Sequence, residues 1–219
     1  MVALSLLLAA WIVFSAALNV VERVQATRAG QSFLATLRRQ PRSFLGMHLA
    51  HAGVAAFIVG VTVVSAYQTE KDVKMEIGDT VGIGAYSFRF NGVREEQGPN
   101  YRALVGDIDL ISEGRTLRKM FPEKRFYVAS SMPMTEAAID TGLLRDAYVS
   151  LGEPIDKDRP DSAWAVRVYL KPMVDWIWGG CVLMALGGLL AISDRRYRIR
   201  ARSTASAPAG TIAPLTRNA

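Results

Sequence analysis

The chain holds two histidines, His48 and His51, and both lie in a run from Phe44 to Thr69 that contains no Asp, Glu, Lys or Arg. An imidazole sunk in hydrocarbon is unfavourable unless a partner compensates it, so His51 is the first residue to question. It stands seven residues beyond Phe44, roughly 10 Å along a helix. Three partners are open for it. It could donate to a carbonyl on a neighbouring helix, relay protons, or ligate a metal or a haem iron through a neutral ring nitrogen. The small neighbours Ala52 and Ala55 leave room for a flat macrocycle. His48, closer to the end of the run, reads as an interfacial histidine.

The rest of the chain offers little other chemistry. There is no nucleophile elbow, no phosphate-cradling glycine loop and no histidine-rich cluster. Glu123, Glu136 and Asp140 read as surface carboxylates. The single cysteine, Cys181, forbids an intramolecular disulfide and a CxxC motif, and reads as a small packing residue.

Helices must position these histidines. Three windows are nearly free of charge: Val2–Val21, Phe44–Thr69 and Trp176–Ser193. Each meets or approaches the ~20 helical residues that a bilayer core of about 30 Å requires. The first lacks the basic residues that precede a cleaved signal, which favours a true span. Wound at 100° per residue, Gly46, Gly53 and Gly60 fall within about 40° of one another, so the second span has a small-residue packing face. His51 sits on a different face, about 140° round from Gly46. Two faces in need of neighbours imply a bundle larger than three helices. Gly179, Gly180, Gly187, Gly188 and Ala191 mark the third span for close packing too.

Charge sets the expected topology. Residues 22–43 carry five arginines against Glu22, and the stretch from Asp194 onward carries six against that one acid. Basic short loops stay on the cytoplasmic side. The expected organisation is a first span over 1–21, a cytoplasmic basic connector over 22–43, a second span over 44–69, and a periplasmic β-rich domain over 70–172. A third span over 173–193 and a disordered cytoplasmic tail over 194–219 complete it. The 70–172 domain has fifteen basic against seventeen acidic residues, so the pI of 9.7 comes from topogenic arginines and does not indicate nucleic-acid binding.

Within that domain strands dominate. Glycines 82 and 84 and Asn91-Gly92 read as turn signals around the alternating run Tyr86–Phe90. Leu104, Gly106, Ile108 and Leu110 alternate against Val105, Asp107, Asp109 and Ile111. Glu113-Gly114 then turns the chain into Thr116–Met120. Lys124–Val128 and Ala163–Leu170 add strands, the latter with Trp164, Val166, Val168 and Leu170 on one face. Thr135–Ile139 and Leu144–Tyr148 are ambiguous and readable as short helical turns. The connector, with Phe33, Leu34 and Leu37 among arginines, reads as amphipathic. Trp176 and Trp178 read as interfacial anchors. The fold class expected is an α-helical membrane protein of three transmembrane helices with an inserted, small, mainly-β domain, an antiparallel sheet or barrel.

Several strings carry a family resemblance. They are His51-Ala-Gly-Val-Ala, Tyr67-Gln-Thr-Glu-Lys-Asp-Val-Lys-Met75, Gly98-Pro-Asn-Tyr101, Glu123-Lys-Arg-Phe-Tyr127, Met134-Thr-Glu-Ala-Ala-Ile-Asp140 and Arg145-Asp-Ala-Tyr148. The longest runs from Trp164 through Lys171-Pro-Met-Val-Asp-Trp-Ile-Trp178 and on to Met184-Ala-Leu-Gly-Gly188. In this order they resemble the C-terminal part of the CcmF/NrfE family of cytochrome c maturation proteins, over about residues 2–198. The resemblance implies part of a haem lyase in the bacterial inner membrane, which joins haem vinyl groups to the two thiols of a CxxCH motif in apocytochrome c. It implies as partners the haem chaperone CcmE, CcmH-type subunits and the upstream half of the same protein. It also implies that His51 is an axial ligand of haem b within the membrane, a haem thought to reduce the iron of the incoming one. His48 has no such counterpart.

Family members are far longer. Their tryptophan-rich haem-handling segment, two external histidines and second membrane histidine all precede the matching part. The chain is therefore expected to be a C-terminal piece, with no lyase activity by itself. The alternative is a non-enzymatic, membrane-anchored assembly or binding module whose His51 is a helix contact. A transporter subunit fits less well, since the second span lacks a broken helix and acidic residues.

Overall fold

A computed structural model describes residues 1–129, 132–156 and 163–194. The expected tail lies outside the described residues, apart from Asp194. The element order is α1 (Val2–Thr27), α2 (Phe33–Arg38), α3 (Arg42–Tyr67), then β1 (Thr69–Met75), β2 (Thr80–Ile83), β3 (Tyr86–Gln97), β4 (Tyr101–Ser112) and β5 (Arg115–Met120). It continues with β6 (Glu123–Tyr127), β7 (Met134–Glu136), β8 (Ala138–Asp140), β9 (Arg145–Pro154), β10 (Trp164–Pro172) and α4 (Val174–Ile192). Helices α1, α3 and α4 are long and apolar enough to cross a membrane.

Glycine is what brings α3 and α4 together. A methyl built on Gly46 would lie 2.5 Å from the Gly187 carbonyl oxygen, and one on Gly53 would lie 2.7 Å from that of Gly180. One on Gly60 would meet the backbone nitrogen of Ile177 at 2.9 Å. The contact is reciprocal, since methyls on Gly187 and Gly180 would strike the nitrogens of Ala50 and Phe57 at 2.5 and 2.7 Å. The two helices run antiparallel along a seven-residue ladder, backbone against backbone. In lipid the hydrophobic effect between helices is absent, and such close van der Waals packing replaces it. At one end Asp194 Oδ2 accepts from the Ser43 N–H at 3.0 Å, meeting an otherwise unpaired donor at the start of α3.

At the other end the helix pair becomes a strand pair. Helix α3 runs into β1, and β10 runs into α4; β1 and β10 pair antiparallel, Thr69 opposite Leu170 through to Met75 opposite Trp164. Two sheets build on this ribbon, one ordered β1-β10-β9-β8 and the other β2-β3-β4-β6-β7 with β5 also on β4. Their inner faces meet in a core of Phe88, Phe90, Ile108, Leu110, Val149, Leu151, Val166, Val168 and neighbours. The alternation expected for β10 holds, and that of β4 holds only from Gly106 onward, since Val105, expected on the face opposite Leu104, is itself buried. Ile108 and Leu110 are fully buried with Leu104 against the core, as are Val166 and Val168 with Trp164 nearly so. Glu113 and Gly114 take φ of 51° and 75°, the left-handed pair that a two-residue hairpin needs.

Several expectations need correction. Asn91-Gly92 is no turn: Gly92, at φ 125°, forms a bulge inside β3, where the register steps from Phe90 opposite Ile108 to Gly92 opposite Asp107. Residues 135–139 and 144–148 are not helical turns but β7, β8 and the start of β9, because pairing to β6 and β10 closes the two sheets. Helix α1 runs on through the first part of the connector to Thr27, with Val24 fully buried. Only Phe33–Arg38 forms a separate helix there, capped by the Ser32 side chain.

The two glycine pairs of α4 supply their own controls. Gly187→Ala should lower stability by about 1–3 kcal/mol through overpacking. Gly188→Ala, where a methyl meets nothing within 4 Å, should leave it unchanged or slightly higher. Thermal unfolding of the two variants in the same detergent checks this.

Candidate functional site

His51 lies nine residues into α3, with its side chain exposed on the helix surface. Its Nδ1 stands 2.7 Å from the carbonyl oxygen of Met47, one turn back. A carbonyl can only accept, so this bond places the proton on Nδ1 and leaves the lone pair on Nε2. The outward nitrogen is therefore the basic one. A ring held this way by a backbone carbonyl matches the usual arrangement of an imidazole metal ligand, whose other nitrogen is fixed by a hydrogen bond.

His48 makes the equivalent bond, Nδ1 to the Phe44 carbonyl oxygen at 2.8 Å, but is half-buried. Its ring tilts against Phe44 with centroids 4.3 Å apart, and the Arg23 guanidinium covers the other aromatic flank at 4.7 Å. His48 is thus a part of the packed end of the bundle, where Arg23 also donates to Gln40 and Gln40 to Thr27. The structure separates the two histidines by environment even though they are three residues apart. They cannot flank one iron from opposite sides, being on the same helix. The residues present fit a haem in part: the outward Nε2 of His51 with Ala52 exposed beside it, whereas Ala55, also expected to leave room for the macrocycle, is buried. Among the described residues there is no cluster of three or more metal-binding side chains.

Cys181 is free and half-buried in α4. Glu123 pairs with Arg125 at 2.8 Å, and Asp140 is held by Arg145 and Arg118. Burial alone would raise the Asp140 carboxyl, but the hydrogen bonds from the two arginines outweigh it and hold the group below the usual carboxylate range. Glu123 is thus tied to an arginine of its own strand, and Asp140 fastens β8 to β9 and β5.

The outer face of the β1-β10-β9 sheet carries a feature that spacing did not single out. An open groove of about 560 Å³ lies over the small residues Ser150, Gly152 and Ala165. Its flank is the paired Asp72 and Arg167, the guanidinium bonding the carboxylate through two nitrogens. That bond, ahead of a small opposing burial effect, keeps the Asp72 carboxyl low. The sequence signal was the run of small outward residues on β9 and β10, visible only once the strand phases are known.

Comparison with known proteins follows the geometry. Residues 66–172 match the family model described as the CcmF C-terminal beta-sandwich. The chain is 43% identical over 197 residues to the cytochrome c-type biogenesis protein CcmF of Pseudomonas aeruginosa, covering 90% of this chain and 29% of that protein. It is 46% identical over 166 residues to the CcmF of Escherichia coli K12, covering 76% and 25%. The chain thus spans under a third of the length of these relatives. A solved structure titled Cytochrome c Heme Lyase CcmF matches with a TM-score of 0.64 at 18% identity, over 88% of this chain and 34% of that one, and so shares the fold.

The tautomer is open to direct observation. Nitrogen-15 NMR of the histidine-labelled protein in lipid should show His51 with a proton on Nδ1. An Nδ1 without a proton would contradict the geometry.

Proposed function

Since the chain belongs to the CcmF/NrfE family and matches its C-terminal part, we propose that it forms the C-terminal portion of a haem lyase subunit in cytochrome c maturation. In this reading His51 of α3 would help hold a haem b in the membrane, and the β domain stands on the periplasmic side of the bacterial inner membrane. The observation that carries it is the His51 imidazole, whose Nδ1 is fixed by the Met47 carbonyl so that the free lone pair points off the helix.

The haem iron, when bound, supplies electron transfer within the membrane. The chain's own residues hold and aim. The Met47 carbonyl oxygen keeps the Nδ1 proton in place, which fixes the ring rotation and leaves Nε2 directed off the helix. The ladder of Gly46, Gly53 and Gly60 fixes the rotation of α3 about its own axis, and with it the direction in which His51 projects. Any further residues needed to hold the haem would come from outside this chain, since His48 is committed to the Phe44 side. The β domain offers its outer surfaces to the partners such a lyase needs, namely haem carried by CcmE, apocytochrome c with its CxxCH thiols, and CcmH-type subunits. Joining haem to those thiols is an activity of the whole assembly, not of this chain alone.

A visible spectrum tests the assignment. In membranes that also supply the preceding part of a CcmF protein, the purified complex should show a haem Soret band. His51→Ala should lose most of it, and His51→Gly should regain it on addition of free imidazole. A band unchanged by both substitutions would remove His51 from the iron and leave it a helix contact.

A further inference from the structure

Strand directions divide the loops of the β domain into two sets. Strand β1 leaves α3 and β10 arrives at α4, so the ends of β1 and β10 at Thr69 and Pro172 face the helices. The β2–β3, β4–β5 and β8–β9 turns fall at this same helix-proximal end, and Gly84 in the first of them lies against the Leu170 side chain. Two of the three turns are small or polar: Gly84-Ala85 and Glu113-Gly114. The third, Thr141–Leu144, presents Leu143 at 70% and Leu144 at 66% exposure.

This loop is pinned at its backbone. The Leu143 carbonyl oxygen accepts from the Trp176 indole Nε1–H at 3.0 Å, and the Leu144 carbonyl oxygen accepts from the Met173 N–H at 3.0 Å. The Gly142 N–H donates to Asp146 Oδ1 at 3.0 Å, and the Gly142 carbonyl accepts from the Arg145 N–H at 3.2 Å. Asp146 is 2% exposed, a buried carboxylate serving this loop and the Tyr148 hydroxyl. The Gly142 N–H and the carbonyls of Gly142, Leu143 and Leu144 are thus met from within the protein while two leucine side chains are left outside. That combination suits a non-aqueous surface, where unmet backbone groups are penalised and apolar side chains are welcome.

The loop's position identifies that surface. Its two carbonyls are bonded to the first turn of α4, a helix apolar and long enough to span a bilayer, and Trp178 one turn in is 68% exposed. Tryptophan at the mouth of a span sits at the headgroup level. We propose that the Gly142–Leu144 loop is a monotopic foot of the β domain, seating Leu143 and Leu144 among lipid acyl chains of the adjoining leaflet. With the continuous α3/β1 and β10/α4 ribbon as one support, the foot provides a second one off the ribbon axis, and the pair fixes the tilt of the sandwich on the membrane. The inference does not depend on the haem reading.

The test uses the chain in lipid nanodiscs with Cys181→Ser and a fluorophore attached at Leu143→Cys, or at Leu144→Cys if the first variant fails to fold. A matching label at Val128→Cys, 87% exposed in the loop following β6, serves as comparison. The foot predicts that the label at 143 loses most of its emission to lipids bearing a nitroxide just below the headgroup and resists aqueous iodide, with the reverse at 128. Quenching of the 143 label by iodide, or its protection from both quenchers, would overturn the proposal.

Discussion

Backbone-to-backbone packing of α3 on α4 is the constraint from which the rest of the structure follows. It requires no side chain at Gly46, Gly53, Gly180 and Gly187, because each carbonyl or amide of the partner helix lies where a Cβ would be. Lipid supplies no hydrophobic pressure to hold helices together, so affinity must come from contact density, and glycine maximises it. The seven-residue spacing keeps the stripe on one side of α3 over four turns. The same spacing explains why the helices stay in step long enough to emerge as neighbouring strands.

That emergence has a mechanical consequence. β1 and β10 are paired residue for residue from Thr69 opposite Leu170, a few residues beyond the helix ends, so the helix pair and the strand pair form one ribbon. The sandwich grows outward from it, its core closed by strands from both sheets. The chain thus runs without a break from α3 into the sheet whose outer face carries the Asp72–Arg167 pair. The side of α3 turned from the glycine ladder is left with Met47 and His51 exposed, although Ala55, one turn beyond His51, is buried. A haem ligand placed there is aimed by a helix whose rotation is set by contacts on its other face.

How much of this was legible in the sequence depends on the range of the interaction. The spans, the glycine stripe and the separation of His51 from it are consequences of helical periodicity and were readable from spacing alone. The alternation in β10, and in β4 from Gly106 onward, was equally local. Asn91-Gly92 misled because a glycine that accepts positive φ serves a bulge as well as a turn, and only the partner strand β4 decides between them. Residues 135–148 were ambiguous because β7 and β8 are three residues each and are defined by pairing, not by their own propensity. The Ser43–Asp194 contact and the Trp176–Leu143 bond join residues 151 and 33 positions apart, and no local pattern announces either. For His51, spacing gave the depth and the face; the Met47 carbonyl that selects its tautomer required coordinates.

Dipolar-recoupling solid-state NMR on the protein in lipid, with glycine carbons labelled, measures the α3–α4 approach without altering it. The close-packed ladder predicts a direct, short-mixing correlation between Gly53 and Gly180, and another between Gly46 and Gly187. Their absence, with both helices otherwise well ordered, would mean that side chains and not backbones separate the two spans, and the ribbon built on them would fall.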